Sequence, residues 1–213
     1  MSLFITFEGP DGSGKGTQIN LVAAHLTRLG QQVLCTREPG GSAIGDQIRQ
    51  VLHDTHNTEM SARAEILLYS ASRAQLVEQV ILPHLAQGGV VLCDRYADST
   101  YAYQGYGRCL DFETLHLVTD FATQGLKPDL TIYLDVAVEE GLRRKSAANV
   151  SGEGEWNRMD QLELTFHRRV RDGYLEMAQN EPGRWLIVDA SAPVEQIQQD
   201  ICRRLEQVLG SRK

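Results

Sequence analysis

A segment near the start of the chain, Gly9-Pro10-Asp11-Gly12-Ser13-Gly14-Lys15-Gly16-Thr17, constrains the fold more than any other. It has the spacing G-x-x-x-x-G-K and lies between an apolar stretch and a run with helical periodicity. Its glycines let successive backbone N–H groups point at one anion without Cβ clashes. The first helical turn adds partial positive charge, and Lys15 adds an ammonium group beside the β- and γ-phosphates. The segment therefore predicts a P-loop that binds ATP.

The motif departs from its usual form at one position. A Ser or Thr whose hydroxyl reaches Mg²⁺ commonly follows the lysine, whereas Gly16 follows it here and the hydroxyl moves to Thr17. The run GKGTQ, Gly14–Gln18, is similar to that of adenylate kinases. We therefore expect Mg²⁺ to be bound mainly through water and Asp94, with Thr17 as the nearest hydroxyl. The departure concerns the direct metal contact, and the phosphate-binding loop is intact.

Strand-like and helix-like segments alternate along the chain, which indicates an α/β protein with a parallel sheet. We predict a three-layer P-loop NTPase fold, with a five-stranded parallel sheet flanked by helices. Its 213 residues suit a single domain over 1–213. The predicted strands are Leu3–Glu8, Val33–Thr36, Val90–Asp94, Leu130–Asp135 and Trp185–Asp189, and the predicted helices are Gly14–Leu29, Ser61–Ala86 and one beginning near Val194.

Charge and cysteine usage narrow the functional classes. The net charge of -7 argues against a nucleic-acid partner, because that role favours a basic face. The four cysteines are scattered without metal-ligand spacing, which favours a reducing cytoplasm over a zinc site or a disulfide framework. No apolar run is long enough for a signal peptide or a membrane span, so we expect a soluble cytoplasmic protein.

Asp94 and Arg95 directly follow the apolar strand Val90–Cys93. A carboxylate at the C-terminal end of a central strand faces the ligand crevice of an open α/β sheet, where it can hold Mg²⁺ through water. The planar guanidinium of Arg95 suits a phosphate group. These two residues alone fit a surface ion pair equally well.

The residues that follow carry a family resemblance. Asp94–Gly105, DRYADSTYAYQG, resembles the thymidylate kinase signature, and Thr36–Gly41 matches the TREPGG loop of the bacterial members. Ala64–Leu76 resembles the family's acceptor-site helix, and Pro128–Asp135, PDLTIYLD, resembles its fourth strand. Because these motifs occur in the family's order from about Leu3 to Val208, the chain is identified as a member of this nucleoside monophosphate kinase family.

The resemblance implies roles for the residues that bind the acceptor, dTMP. Tyr69 stands where the family usually has a Phe stacked on thymine, and Arg73 donates to the O4 of the base. Asp11 accepts from the 3′-hydroxyl, and Tyr103 crowds the 2′ position, which favours deoxyribose. Without the resemblance, the two tyrosines would fit core aromatics. The implied acceptor residues are Asp11, Arg37, Tyr69, Arg73, Arg95, Ser99, Thr100, Tyr103 and Gln104.

Phosphoryl transfer depends mainly on positioning and on neutralising charge. We expect Lys15, Asp94, Arg95, Mg²⁺ and a further arginine to provide this. The family carries that arginine in the P-loop or in a lid; Gly12 occupies the P-loop position here. The polar segment Ser146–Asn157 fits a surface loop as well as a lid, and the need to exclude water favours a lid over about 146–158. It contains Glu153 and Glu155 but no Lys or Arg, so the candidates lie at its edges: Arg144 and Arg158.

Two other functions remain open on the sequence. A kinase for another monophosphate, such as AMP, is suggested by GKGTQ. A nucleotide-binding module without efficient transfer is suggested by Gly16 and the acidic lid. The resemblance also implies a homodimer, with ATP as co-substrate and Mg²⁺ as cofactor.

Overall fold

A computed structural model of the chain describes residues 2–152 and 156–210, and its centre is a parallel β-sheet. Within these residues the strands are β1 (Leu3–Glu8), β2 (Val33–Arg37), β3 (Val90–Asp94), β4 (Leu130–Asp135) and β5 (Trp185–Asp189), in the order β2-β3-β1-β4-β5. Every neighbouring pair is parallel. The predicted five-stranded sheet is confirmed, and β2 extends one residue further, to Arg37.

Helices form the connections between the strands. They are α1 (Lys15–Arg28), α2 (Ala43–His53), α3 (Ala62–Leu76), α4 (Leu82–Ala86), α5 (Ala97–Thr100), α6 (Phe112–Thr123), α7 (Val138–Val150), α8 (Leu164–Asn180) and α9 (Val194–Gly210). The other helical elements are two π-helical turns, Val77–Ile81 and Tyr101–Gly107, and a 3₁₀ turn, Arg158–Gln161. No helix in the two described stretches is long and apolar enough to cross a membrane.

The long helix predicted over Ser61–Ala86 is confirmed as a helical region with an internal change of pitch. Ser61 accepts a hydrogen bond from the backbone N–H of Ala64 at 3.2 Å, which caps α3. The π turn Val77–Ile81 then separates α3 from α4. Pro83 lies in the first turn of α4, and a proline cannot donate a backbone hydrogen bond to the preceding turn.

Alternate residues of β1 face opposite sides of the sheet, which creates three layers. Leu3, Ile5 and Phe7 pack in one core with α1 and α9. Phe4 packs in another core with Leu76 of α3 and the π turn that follows it. Since β1 is the middle strand, its C-terminal end opens onto the centre of the molecule, where the P-loop begins.

Part of the segment predicted as a lid is helical. Helix α7 continues to Val150, so residues 146–150 form its last turn and a loop does not begin at Ser146. Ala147 and Ala148 favour helix, and Gly152, with φ +76°, provides the left-handed conformation typical beyond a helix end. Glu153 and Glu155 lie outside the described residues. Asn157 then caps the 3₁₀ turn by accepting from the N–H of Met159 at 2.8 Å.

Candidate active site

Two close backbone contacts shape the P-loop between β1 and α1. Gly9 has φ +141°, and a Cβ there would lie 2.6 Å from the carbonyl oxygen of Leu134. Gly12 has φ +78°, and a Cβ there would collide with the carbonyl of Gly141 in α7. Both positions therefore require glycine. A Cβ at Gly16 would meet nothing within 4 Å, so packing does not demand glycine at the position where the motif departs from its usual form.

The predicted acceptor residues and three of the predicted catalytic residues line one cavity of about 400 Å³ beside the P-loop. They are Asp11, Lys15, Arg37, Tyr69, Arg73, Asp94, Arg95, Ser99, Thr100, Tyr103 and Gln104. Residues more than 90 positions apart meet here because the C-terminal ends of β1, β2 and β3 share one edge of the sheet. Gly9, Pro10, Ser13, Gly14 and Thr17 form the adjoining loop and first helical turn.

One side of the cavity is organised around Arg73, which is fully buried. Its Nε donates to Glu38 Oε2 at 2.8 Å, and its Nη2 lies 2.7 Å from the same oxygen. Nη2 also donates to the carbonyl of Tyr96 at 3.0 Å, and Nη1 donates to Thr100 Oγ1 at 2.9 Å. Because these partners hold the guanidinium, its orientation is set before any ligand arrives.

A second buried carboxylate, Glu65, supports the same side. It accepts hydrogen bonds from Gln104 at 2.9 Å, from Arg108 at 2.9 Å and from Arg158 at 2.5 Å. Burial raises the pKa of Glu65, but the hydrogen bonds from Arg108 and Gln104 outweigh it, so its pKa lies below the usual range. Gln104 is thereby held as a wall of the cavity.

Arg158 is part of this network and is itself buried. In addition to Glu65, it donates from Nε to the carbonyl of Leu52 at 3.2 Å. To reach a transferring phosphoryl group, Arg158 would have to leave a buried carboxylate unpaired, which is costly. These contacts give Arg158 a structural role, and its catalytic role stays a prediction.

The other side of the cavity gathers cations around the carboxylate of Asp11. Arg95 donates from Nη2 to Asp11 Oδ1 at 2.9 Å, and Lys145 donates to Oδ2 at 2.5 Å. Lys15 lies 3.8 Å from Oδ1 and donates to the carbonyls of Gly9 and Pro10 at 3.1 and 3.2 Å. Burial alone would raise the pKa of Asp11, but these cations, Arg95 foremost, hold it well below its usual range.

The position of Arg95 depends on an unusual backbone conformation. Its φ is +67°, which is uncommon for a residue with a side chain. The carboxylate of Glu8 fixes the following residue by accepting from the N–H of Tyr96 at 2.8 Å, and it also accepts from the hydroxyls of Ser99 at 2.6 Å and Tyr174 at 2.7 Å. Burial, reinforced by Asp98, raises the pKa of Glu8 to about 7.

The carboxylate of Asp94 fits a role beside a divalent cation. Its Oδ1 is buried, yet among the described residues it has no hydrogen-bond partner. A buried carboxylate oxygen is costly without a partner, and oxygen is the ligand that Mg²⁺ prefers. Asp94 also lines the cavity next to Lys15. Thr17 is exposed in the first turn of α1.

The cations at the edge of the lid are paired in different ways. Arg143 is 69 % exposed and pairs with Glu140. Arg144 donates to Glu140 at 2.6 Å and to the carbonyl of Ala190 at 3.0 Å. Lys145, by contrast, lines the cavity.

Sequence reasoning missed several residues of the site. Three of them lie inside or beside recognised motifs: Glu8, Glu38 and Glu65. Because a buried arginine requires a charged partner, buried carboxylates near these motifs could have been predicted. Lys145 follows two arginines in a helix, and no local signal sets it apart from them.

The cavity combines a P-loop at the end of the central strand, a strand-end aspartate and a second wall around Arg73. This combination defines a nucleoside monophosphate kinase of the P-loop NTPase fold. A family model described as thymidylate kinase matches residues 7–201. The thymidylate kinase of Roseiflexus sp. (strain RS-1) is 51 % identical over 99 % of this chain and 96 % of its own length. That of Geotalea daltonii is 52 % identical over 92 % of each chain. The crystal structure of thymidylate kinase from Ehrlichia chaffeensis superposes with a TM-score of 0.76 at 30 % identity, covering 96 % of this chain and 98 % of that one.

The chain therefore belongs to the thymidylate kinase family, and both the fold class and the resemblance found in the sequence are confirmed. It is an ATP-dependent phosphotransferase of the family that converts dTMP to dTDP. This finding sets aside the AMP kinase suggested by GKGTQ and the binding module without transfer activity. The roles of individual residues stay predictions.

Proposed function

We propose that the two sides of the cavity divide the reaction between them, one recognising dTMP and the other aligning the γ-phosphoryl group of ATP with its phosphate. The observation that carries this proposal is that Lys15 of the P-loop and Arg73 of the base site line the same cavity. A shared cavity allows direct transfer between two bound nucleotides, which gains rate from proximity and orientation.

Arg73 would select thymine through a remaining hydrogen-bond donor. A guanidinium carries five N–H groups, and the hydrogen bonds of Arg73 to Glu38, Tyr96 and Thr100 use three of them, one of these on Nη1. The second N–H of Nη1 suits the O4 acceptor of thymine. Cytosine presents an amine at the same position and would leave this donor unpaired. Tyr69 would stack on the base from α3.

The sugar and the acceptor phosphate would be held by residues near the ends of β2 and β3. Arg37 and Arg95 would grip the phosphate, with Ser99 supporting Arg95 through a 3.4 Å hydrogen bond. Asp11 would accept from the 3′-hydroxyl. The guanidinium of Arg95 lies 5.1 Å from the centre of the Tyr103 ring, which supports a position for Tyr103 near the sugar, where its ring would crowd a 2′-hydroxyl.

The donor triphosphate would be bound by the backbone N–H groups of Gly9–Thr17 and by Lys15. Asp94, and Thr17 through its hydroxyl, would hold Mg²⁺, which neutralises phosphate charge when it is bound. Burial and the nearby Arg95 lower the pKa of Lys15. An anionic phosphate in this place would favour the charged form of Lys15, so the lysine is suited to bind there.

We propose Arg144 or Arg158 as the arginine that meets transition-state charge when the lid closes. Arg144 would have to leave Glu140, an exchange that costs little at a partly exposed site. Alanine substitution of each and of both, followed by steady-state kinetics, tests this. A fall in kcat of about 10²-fold in one single variant identifies the arginine, and unchanged turnover in the double variant excludes both.

The overall assignment is tested by an ADP-release assay with dTMP, dUMP, AMP and CMP as acceptors. We expect dTMP to give the highest kcat/KM. Lys15→Ala should lower kcat by roughly 10³-fold, because it removes a charge aimed at the transferring phosphoryl group. Turnover of AMP or CMP equal to that of dTMP would contradict the role of Arg73, and full activity of Lys15→Ala would contradict that of the P-loop.

We also propose that the chain acts as a cytoplasmic homodimer through the surface formed by α3 and α6. Three large apolar side chains are exposed there: Leu67 at 59 %, Leu117 at 68 % and Phe121 at 88 %. Contiguous exposed apolar residues of this kind mark interfaces. Light scattering should give twice the monomer mass, and Phe121→Glu should give a monomer. A monomeric parent protein would reject the proposal.

A further inference from the structure

Lys145 connects three segments that surround the phosphoryl-transfer site. Its Nζ lies 2.5 Å from Asp11 Oδ2 in the P-loop and 2.6 Å from Asp160 Oδ2 in the 3₁₀ turn after the lid. The lysine itself belongs to α7, the helix that leads into the lid. Its side chain is 9 % exposed and lines the nucleotide cavity.

The other cations at the lid edges are committed elsewhere. Arg143 and Arg144 pair with Glu140, and Arg158 pairs with Glu65. The segment Ser146–Asn157 contains no Lys or Arg. Among the described cations of α7 and of the 3₁₀ turn, Lys145 is the one that contacts a P-loop side chain.

We propose that Lys145 is a positioning residue for phosphoryl transfer: it orients the Asp11 carboxylate toward the 3′-hydroxyl of the acceptor and joins both ends of the lid to it. The inference rests on the proposed function, in which Asp11 accepts from that hydroxyl. Arg95 holds Oδ1 of Asp11 and Lys145 holds Oδ2. When Arg95 turns to the acceptor phosphate, Lys145 still fixes the carboxylate and leaves Oδ1 for the hydroxyl.

The physical requirement is orientation. A carboxylate on a short side chain can rotate, and an ångström of misplacement at a reacting pair lowers the rate by about 10²-fold. Lys145 prevents that rotation from a helix packed against the P-loop, since Gly141 of α7 lies against Gly12. Asp160 holds the ammonium in place from the opposite side of the lid.

A purely structural role for Lys145 would be to separate two carboxylates. Without its ammonium, Asp11 and Asp160 would lose the cation between them and repel each other, and the protein would lose stability for that reason alone. The double variant Lys145→Met with Asp160→Asn removes this repulsion while it still lacks the ammonium. It therefore separates the two roles, and it remains available if Lys145→Met does not fold.

The experiment measures kcat and KM of both variants with dTMP and with 3′-deoxy-dTMP. We expect kcat/KM for dTMP to fall about 10–100-fold in Lys145→Met and to stay within about 3-fold of that value in the double variant. With 3′-deoxy-dTMP the loss should shrink to less than about 5-fold, because there is no hydroxyl to position. The exposed lysine variant Lys127→Met, the matched control, should keep the parent activity.

The outcomes separate this inference from the proposed function. If the parent protein does not phosphorylate dTMP, or if Lys15→Ala is fully active, the proposed function fails. If the parent is active, three results overturn the inference alone: full activity of the double variant, an equal loss on both acceptors, or unchanged activity of Lys145→Met. A loss specific to the 3′-hydroxyl that persists in the double variant supports it.

Discussion

The two sides of the cavity handle charge in opposite ways. On the side around Arg73, which we call the base side, each buried guanidinium has a buried carboxylate partner. Arg73 pairs with Glu38 at 2.7 Å and Arg158 pairs with Glu65 at 2.5 Å. On the side around Asp11, which we call the phosphate side, three cations, Lys15, Arg95 and Lys145, share the carboxylate of Asp11, and Lys145 also pairs with Asp160.

The difference fits the groups that we propose each side binds. A base is neutral, so its recognition requires donors held rigidly by partners already present. Two nucleotides bring several negative charges, so the phosphate side benefits from cations that share one carboxylate and can turn from it to a phosphate oxygen. The pairs of the base side therefore stabilise the folded structure, whereas the shared pairs of the phosphate side can be exchanged for contacts with a ligand.

The largest effect that tests this comparison concerns Glu65 on the base side. Glu65→Ala would leave the buried Arg158 without its carboxylate, and we expect the free energy of unfolding to fall by about 3–5 kcal/mol. Urea denaturation measures it. Glu139→Ala, which breaks an exposed pair with Arg168, should change it far less. A similar small change for Glu65→Ala would show that the base side does not stabilise the fold.

An effect of about 3 kcal/mol is expected from Glu8, beneath the phosphate side. Burial and Asp98 raise its pKa from 4.5 to about 7, so the native state keeps this proton where the unfolded chain has released it. The free energy of unfolding should therefore fall as pH rises from about 4.5 to about 7. Glu8→Gln cannot ionise and should lack this decline.

The measurement for Glu8 is urea denaturation at about pH 5 and about pH 8. Relative to the parent protein, Glu8→Gln should gain about 3 kcal/mol between the two conditions. The exposed glutamate variant Glu59→Gln should follow the parent. An identical pH dependence in Glu8→Gln and the parent would show that Glu8 is ionised in the native state throughout.

The smallest effect concerns ligand binding on the base side. Tyr69→Ala removes the ring that we propose to stack on thymine, worth about 1–3 kcal/mol, so KM for dTMP should rise about 5–150-fold with a smaller change in KM for ATP. Tyr69→Phe keeps the ring and should stay within about 2-fold of the parent. Equal changes in both Michaelis constants for Tyr69→Ala would place Tyr69 outside the acceptor site.

Local patterns in the sequence were enough to predict the framework. The residues Val90–Cys93 of β3 are all apolar because both faces of the strand are buried, and Gly9 and Gly12 of the P-loop mark close contacts that no other residue could make. Helices α2 and α6 were not predicted, although Ser42 and Asp111 cap them by accepting from the N–H groups of Gly45 and Thr114. Short amphipathic helices between loops carry a weak periodic signal.

The chain by itself determined the α/β sheet, the P-loop and the family, because strand periodicity, glycine spacing and ordered motifs are properties of neighbouring residues. Only the tertiary structure decided which cation faces which anion. Arg158 meets Glu65 across 93 positions, and Lys145 meets Asp11 across 134. Pairing of this kind depends on how α7, the 3₁₀ turn and the P-loop pack together, since adjacent basic residues in a helix point in different directions from nearly the same place in the sequence.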